Sequence, residues 1–367
     1  PRPAYIEIPL DLLKEPADDG WVARGLPGIA PPPPAAIEKA IAKLNGAQRP
    51  VILLGGGALH AGTAALAIAE TLKAPIVTTT AGKGAVPADH PFCLGYRMGR
   101  PECWELLEKA DAILCAGSEL SETDFWNDNV VIDHDLIRID IDADAIARPH
   151  TAEVAILGDA KLALEAIAQG VSARKGPAAA ELPEGEADAL RRMLTRVLET
   201  IRDALPPETV ICSDMTQIAY AANEVFPVSQ PRTWLHPVGF GTLGFALPAG
   251  IGAKFGVGAR PVAVMIGDYG LQYTINELGT AAEHRLPLVI LMWNNDALGQ
   301  IRDDMVNKGI QPNAVTLKNP DFQMLARSYG CQAAKPESLA ALSAAIRTAL
   351  AAEGPTLIEM TPRMVNG

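Results

Sequence analysis

Two apolar runs, PVAVMIGD (261–268) and PLVILMWNN (287–295), are joined by a single amphipathic helical stretch, and this unit constrains the chain more than any other feature. Apolar runs of this length read as strands buried on both faces. Such a strand–helix–strand crossover is right-handed and makes its strands parallel. Asp268 and Asn295, which end the two runs, therefore emerge at the carboxyl edge of one sheet, where open α/β sheets bind ligands. A carboxylate beside an amide oxygen suits a hard divalent cation, with a backbone carbonyl, water and phosphate oxygens completing its shell. The plainer alternative is that Asp268 caps the next helix and that Asn294 and Asn295 form a turn.

The same rhythm fills the rest of the chain. VILLGGG (51–57), a helix over Gly62 to Leu72, PIVTTT (75–80), AILCAGSE (112–119) and LIRIDID (136–142) follow one another. Then come a helix over 187–204, TVICSD (209–214), a helix over Gln217 to Val225, TWLH (233–236), the 261–295 unit with a helix over Ile275 to Glu283, and PTLIEM (355–360). This alternation predicts an α/β chain of two doubly wound parallel-sheet domains. A length of 367 residues agrees, being more than one core usually serves. GIAPPPPAA (28–36) and SARKGPAAAELPEGE (172–186) read as linkers. The expected division is a tail of another domain over 1–19, a proline-rich linker over 20–34, a central domain over 35–170, a linker over 171–187 and a second domain over 188–367. The tail is assigned because YIEIPLDLL reads as one strand and a turn with no partner before it.

Composition narrows the function. A net charge of −12, with no stretch rich in Lys or Arg, argues against nucleic acid and anionic membranes as partners. No apolar run reaches the roughly 18 residues of a membrane span. The amino-terminal PRPAYIEIPLDLLKEP lacks the features of a secretory signal, so a cytoplasmic location is expected. Five cysteines, without a CxxC pair, read as reduced and buried thiols, and six scattered histidines give little support to zinc. A small molecule is the expected partner.

The segment from Val262 to Asp296 resembles the thiamine diphosphate motif, a GDG followed at fixed distance by NN; Asp268 and Asn295 stand 27 positions apart, the spacing of that motif. The resemblance is to acetolactate-synthase-like 2-oxo-acid enzymes. It implies that Asp268 and Asn295 bind Mg2+ through side chains and Ala297 through its carbonyl. Leu298 and Gly299 would then offer backbone N–H groups to the diphosphate where a helix starts, and Gly267 would permit the tight strand exit. One departure stands out: Tyr269 and Gly270 follow the aspartate where the family has glycine directly. Either Tyr269 points away while Gly270 gives the close approach to phosphate, or cofactor affinity is altered. GDYG resembles a subfamily mark of decarboxylases similar to those acting on 5-guanidino-2-oxopentanoate.

HPVGFGTLGFALPAGIGA (236–253) resembles the family's glycine-rich segment, whose bulky residue, here Leu243 beside Gly241, holds the two cofactor rings bent. The alternative is that this segment only makes a tight helix–sheet contact. CSDMTQ (212–217) lies at a strand end where the family contacts diphosphate, so Ser213, Asp214, Met215, Thr216 and Gln217 are candidates. VILLGGGALHAG, TAGKGAVPADHP and LIRIDID resemble the central domain in order. Its Gly55, Gly56 and Gly57 leave FAD or another nucleotide open, with a purely architectural role preferred. GSELSETDF (117–125) replaces the Arg-containing stretch associated with FAD-containing synthases; Glu119, Glu122 and Asp124 read as solvated or capping residues, and would also suit a cationic substrate tail.

The resemblance implies that the cofactor accepts the electrons released when a 2-oxo acid loses carbon dioxide. The glutamate that activates it would come from an amino-terminal domain of a neighbouring subunit, a domain expected to be missing here, so that this stretch alone turns over poorly. It also implies a homodimer or homotetramer. Product fate, aldehyde or carboligated acid, would depend on that domain and on the flexible stretch IRDDMVNKGIQPNAV (301–315). Two rivals remain: a non-catalytic cofactor-binding module, and a nicotinamide or flavin oxidoreductase, which lacks a convincing GxGxxG.

Overall fold

The computed structural model describes residues 4–17, 20, 22, 25, 28–127, 130, 132, 135–174, 182 and 188–366. Two six-stranded sheets, every described pairing parallel, carry helices on both faces. The first holds β1 (Pro50–Leu54), β2 (Ile76–Thr78), β3 (Cys93–Gly95), β4 (Ala112–Ala116), β5 (Leu136–Asp140) and β6 (Val154–Leu157), in the order β3-β2-β1-β4-β5-β6. The second holds β7 (Val210–Ser213), β8 (Trp234–Leu235), β9 (Val262–Gly267), β10 (Leu288–Trp293), β11 (Gln332–Ala334) and β12 (Thr356–Met360), in the order β11-β12-β10-β9-β7-β8.

In the second sheet every residue of β9 and β10 is buried, because helices cover both faces. Helices Ala189–Ala204, Gln217–Val225 and Leu339–Leu350 enclose one core; Ala246–Val257, Glu277–Glu283 and Phe322–Ser328 enclose the other. From β7 the chain moves outward to β8, then returns to place β9 on the opposite side, so direction reverses between β7 and β9. That reversal opens a crevice above the carboxyl ends of β7, β9 and β10.

Several elements differ from the sequence expectation. β3, β6 and β11 were not foreseen; they are edge strands of three or four residues, too short and half-covered to print a clear apolar pattern. The described part of YIEIPLDLL forms no strand, since it pairs with nothing, and Tyr5 and Ile6 are exposed. Helix Gly299–Asn307 starts where the diphosphate motif implied a helix and runs into the stretch 301–315.

The two sheets meet at defined contacts. Lys83, in the turn after β2, donates from Nζ to the carbonyls of Ala222 (3.4 Å), Asn223 (2.6 Å) and Phe226 (2.9 Å). It thus satisfies the Asn223 and Phe226 carbonyls at the end of helix Gln217–Val225 and adds a longer bond to that of Ala222, which already accepts the Phe226 N–H. Glu224 on the same helix accepts Arg100 (2.7 Å) from the first sheet's side and Arg191 from the second's.

Candidate active site

Asp268 follows β9 and Asn295 follows β10, in register across Gly267 and Trp293. Both line one cavity of about 430 Å³, together with Met215, Thr216, Gln217, Gly241, Leu243, Gly267, Tyr269, Gly270, Ala297, Leu298 and Gly299. Thirteen of the fifteen residues singled out by sequence therefore face one space. Ser213 and Asp214 lie beneath it, fully buried.

The side chains at its floor have fixed orientations. Gln217 donates from Nε2 to the Asp303 carboxylate (2.8 Å), so its Oε1 is left to accept from Asn295 Nδ2 (2.9 Å). Asn295 Oδ1 is thereby turned away as a free acceptor, and no described hydrogen bond uses it. Asp268 Oδ1 accepts from the Tyr269 N–H (3.0 Å) and its Oδ2 from Asn319 Nδ2 (2.7 Å). Burial pushes the Asp268 carboxyl above the usual range, and these two donors oppose it. Ala297 is bridged to Thr316 through bonds made by its neighbours, Leu298 N–H to Val315 O (2.9 Å) and Leu317 N–H to Asp296 O (2.8 Å). That pattern leaves the Ala297 carbonyl outside the ladder.

It also corrects one expectation. The Leu298 N–H is spent on Val315 and cannot serve a diphosphate; the first turn of Gly299–Asn307 supplies the open N–H groups instead. A second helix start, at Gln217, faces the same cavity and has no side-chain cap. A carboxylate, an amide oxygen and a carbonyl converging between two helix starts fit a magnesium-bound diphosphate. No group of three or more His, Cys, Asp or Glu that could hold a metal occurs among the described residues.

The GDYG departure has a local explanation. Asp268–Tyr273 is a short helix, and neither Tyr269 nor Gly270 has positive φ, so no glycine is required after the aspartate. Gly270 answers to a different neighbour: a Cβ there would stand 2.7 Å from Asp214 Oδ2. Asp214 itself accepts from the N–H groups of Met215 (2.8 Å) and Gly244 (2.8 Å), although burial pushes its carboxyl up to about 6. It therefore anchors the glycine-rich loop, in which Gly241 (φ +69°) and Gly244 (φ +85°) take left-handed conformations that L side chains resist. Leu243, between them, is carried into the cavity.

Sequence reading missed Asn319, Asp303 and His236. Asn319 lies outside the motifs that were read, Asp303 lies in a stretch read only as flexible, and His236 opens the glycine-rich segment without being singled out; each matters through a partner distant in sequence. Trp234 Nε1–H donates to Asn223 Oδ1 (3.0 Å), which aims Asn223 Nδ2 at His236 Nε2 (3.4 Å). The imidazole must then carry its proton on Nδ1, toward Ser213 Oγ (2.8 Å). Burial lowers His236 to about 4, so it is neutral at pH 7.

His236 lines a second cavity of about 310 Å³, which shares Thr123, Trp126, Met215, Tyr220 and Gln300 with the first. Its wall holds three carboxylates, Asp124, Glu224 and Asp304, and no Lys or Arg. Glu224 is neutralised by Arg100 and Arg191, whereas Asp124 is held mainly by Ser121. Burial pushes the Asp124 carboxyl up to about 6. In the first domain the glycine turn after β1 is consumed by packing: a Cβ on Gly55 would lie 2.2 Å from the Gly117 carbonyl, and the Gly57 N–H donates to that same oxygen (2.9 Å). The turn therefore has an architectural use that does not call for a nucleotide.

Comparison with known proteins bears directly on this geometry. The family model described as the C-terminal TPP-binding domain of thiamine pyrophosphate enzymes matches residues 214–360, and that of their central domain matches 37–167. The chain belongs to the thiamine pyrophosphate enzyme family. Among its relatives is the probable 2-ketoarginine decarboxylase AruI of Pseudomonas aeruginosa, 43% identical over 98% of this chain and 66% of that protein. The acetolactate synthase large subunit of Corynebacterium glutamicum is 30% identical over 91% of this chain and 58% of the relative. The chain thus spans about two thirds or less of the length of these relatives. The structure of a thiamine diphosphate-dependent 4-hydroxybenzoylformate decarboxylase from Rhodococcus jostii superposes with a TM-score of 0.78 and 26% identity, covering 94% of this chain and 67% of that one. No described helix is long and apolar enough to cross a membrane.

Proposed function

We propose that this chain belongs to an enzyme that decarboxylates a 2-oxo acid with thiamine diphosphate and Mg2+, and that it supplies the half of the site that grips the diphosphate and the metal. The observation that carries the reading is the convergence of Asp268, Asn295 and Ala297 on one cavity between two helix starts, with Leu243 projecting into the same space. When bound, the cofactor supplies the electron sink for loss of carbon dioxide. Asp268, Asn295 and the Ala297 carbonyl would hold the metal; the N–H groups opening Gly299–Asn307 would hold phosphate oxygens; Leu243 would set the angle between the rings. His236, neutral, with Nε2 accepting from Asn223 and Nδ1 directed at Ser213, forms a fixed, uncharged part of the wall beside that space.

The substrate in this reading is a 2-oxo acid with a cationic side chain. The 43% identical relative is named for 2-ketoarginine, and the second cavity combines Asp124 and Asp304 with the aromatic walls Tyr96, Trp126 and Tyr220. Carboxylates and ring faces are the partners a planar guanidinium prefers. A glutamate from an amino-terminal domain, a homodimer or homotetramer, and a cytoplasmic location complete the proposal. Calorimetry tests the first step: thiamine diphosphate should bind only with Mg2+, and Asp268→Ala should abolish binding while leaving the unfolding midpoint of the cofactor-free protein in place. Metal-independent binding would count against the reading. Carbon dioxide release from branched, aromatic and guanidino 2-oxo acids by the complete polypeptide tests the second.

A further inference from the structure

The residues that would hold the metal lie on two strand ends, and neither end fixes its own geometry. Asp268 opens a helix of only six residues. Asp296, between Asn295 and Ala297, sits at φ +54°, a left-handed conformation that a non-glycine residue keeps only when its surroundings hold it there. One side chain outside the motif touches both ends. Asn319 donates from Nδ2 to Asp268 Oδ2 (2.7 Å), Asn294 Oδ1 (2.9 Å) and Asp296 Oδ1 (3.2 Å). Its own Oδ1 accepts from Gln272 Nε2 (3.2 Å), so the amide nitrogen, not the oxygen, is aimed at the three acceptors.

The backbone that carries Asn319 is tied to the same place. Leu317 N–H and Val315 O pair with Asp296 O and Leu298 N–H, clasping Ala297 from both sides. We infer that Asn319 is the positioning residue of the metal site: it holds the Asp268 carboxylate and the turn from Asn294 to Asp296 in one arrangement, so that Asn295 Oδ1 and the Ala297 carbonyl reach the same ion. This rests on the proposed function, since it presupposes a metal between Asp268 and Asn295. Partners of ligands in this role commonly set metal affinity by roughly 10- to 100-fold.

The test is calorimetric titration of Mg2+ into the protein with saturating thiamine diphosphate, for wild type, Asn319→Ala and Asn319→Asp, alongside the unfolding midpoint without metal. Asn319→Ala should weaken Mg2+ by roughly 10-fold or more while the metal-free midpoint stays close to wild type. Asn319→Asp should weaken it at least as much, because a carboxylate cannot donate to three oxygens. Mg2+ binding kept or tightened in Asn319→Asp would mean that residue 319 acts as a direct oxygen ligand, and would overturn the inference. Wild-type affinity in Asn319→Ala would overturn it too. Should Asn319→Ala fail to fold, Gln272→Ala frees the amide to rotate and should weaken Mg2+ in the same direction; unchanged affinity there overturns the inference. Metal-independent cofactor binding in the wild type would instead defeat the functional reading, and this inference with it.

Discussion

Gly299 stands where a methyl group has no room. An added Cβ would lie 2.4 Å from Asn295 Nδ2 and 2.5 Å from Gln217 Oε1, the two atoms that share the bond orienting the Asn295 amide. Its backbone is helical, so alanine costs nothing in φ and the damage falls on that bond alone. Gly299→Ala should weaken magnesium-dependent thiamine diphosphate binding by about 10-fold with little loss of stability, a contrast that calorimetry and urea unfolding resolve together. His236 invites a prediction with a definite sign. Burial lowers it to about 4 in the folded chain against an ordinary 6.5, so between those values the unfolded chain binds the extra proton. Its contribution is present above pH 6.5 and lost as pH falls toward 4. Asp124 and Asp214, each raised to about 6, work in the opposite direction over 6 to 4 and partly mask the effect. Comparison with His236→Asn cancels them: from pH 7 to 4.5 the wild type should lose up to about 3 kcal/mol relative to the variant.

At the scale of elements, legibility followed burial. β9 and β10 were readable because helices cover both faces and impose unbroken apolar runs; β3, β6 and β11 were not, since an edge strand of three or four residues has too few covered positions to show a period. The candidate site shows the same division. Asp268 and Asn295 were legible because they stand at fixed spacing just past two regular strands, and Leu243 because its glycine-rich loop has a recognisable composition, whereas Asn319 and Asp303 act across separations of 51 and 86 residues that no local pattern encodes. Leu298 was misread because the segment that consumes its N–H, at Val315, returns from beyond helix Gly299–Asn307 to form an isolated bridge that no local pattern announces. The end of helix Gln217–Val225 is a further such case, capped by Lys83 from the other sheet's side. Lys83→Met keeps the bulk and removes the donors. It should cost about 1 to 3 kcal/mol in urea unfolding, the cost of buried carbonyls left unpaired.

On the scale of the whole molecule, the two sheets divide the work. The second builds the floor that would hold diphosphate and metal, while Asp124, Tyr96 and Trp126 come from the first and close the adjoining cavity. In the proposed function the first sheet's side has a use that its packed glycine turn alone would not suggest: it would select the substrate. Asp124 is the group to test: it has no arginine beside it, unlike Glu224, which two arginines already neutralise, and it is less exposed than Asp304, the other carboxylate there without one. Asp124→Asn keeps the shape and removes the charge. In the complete enzyme it should raise KM for guanidino and amino 2-oxo acids by roughly 10-fold or more, the scale of a lost charge-assisted hydrogen bond, and leave kcat and uncharged substrates nearly unaltered. Because burial lifts Asp124 to about 6, its charge fades below that pH, and the preference for cationic over neutral substrates should fade with it in the wild type but stay flat in the variant. Equal losses for charged and neutral substrates would show instead that Asp124 only shapes the wall, and would move substrate selection to Asp304, the exposed carboxylate lining the same cavity.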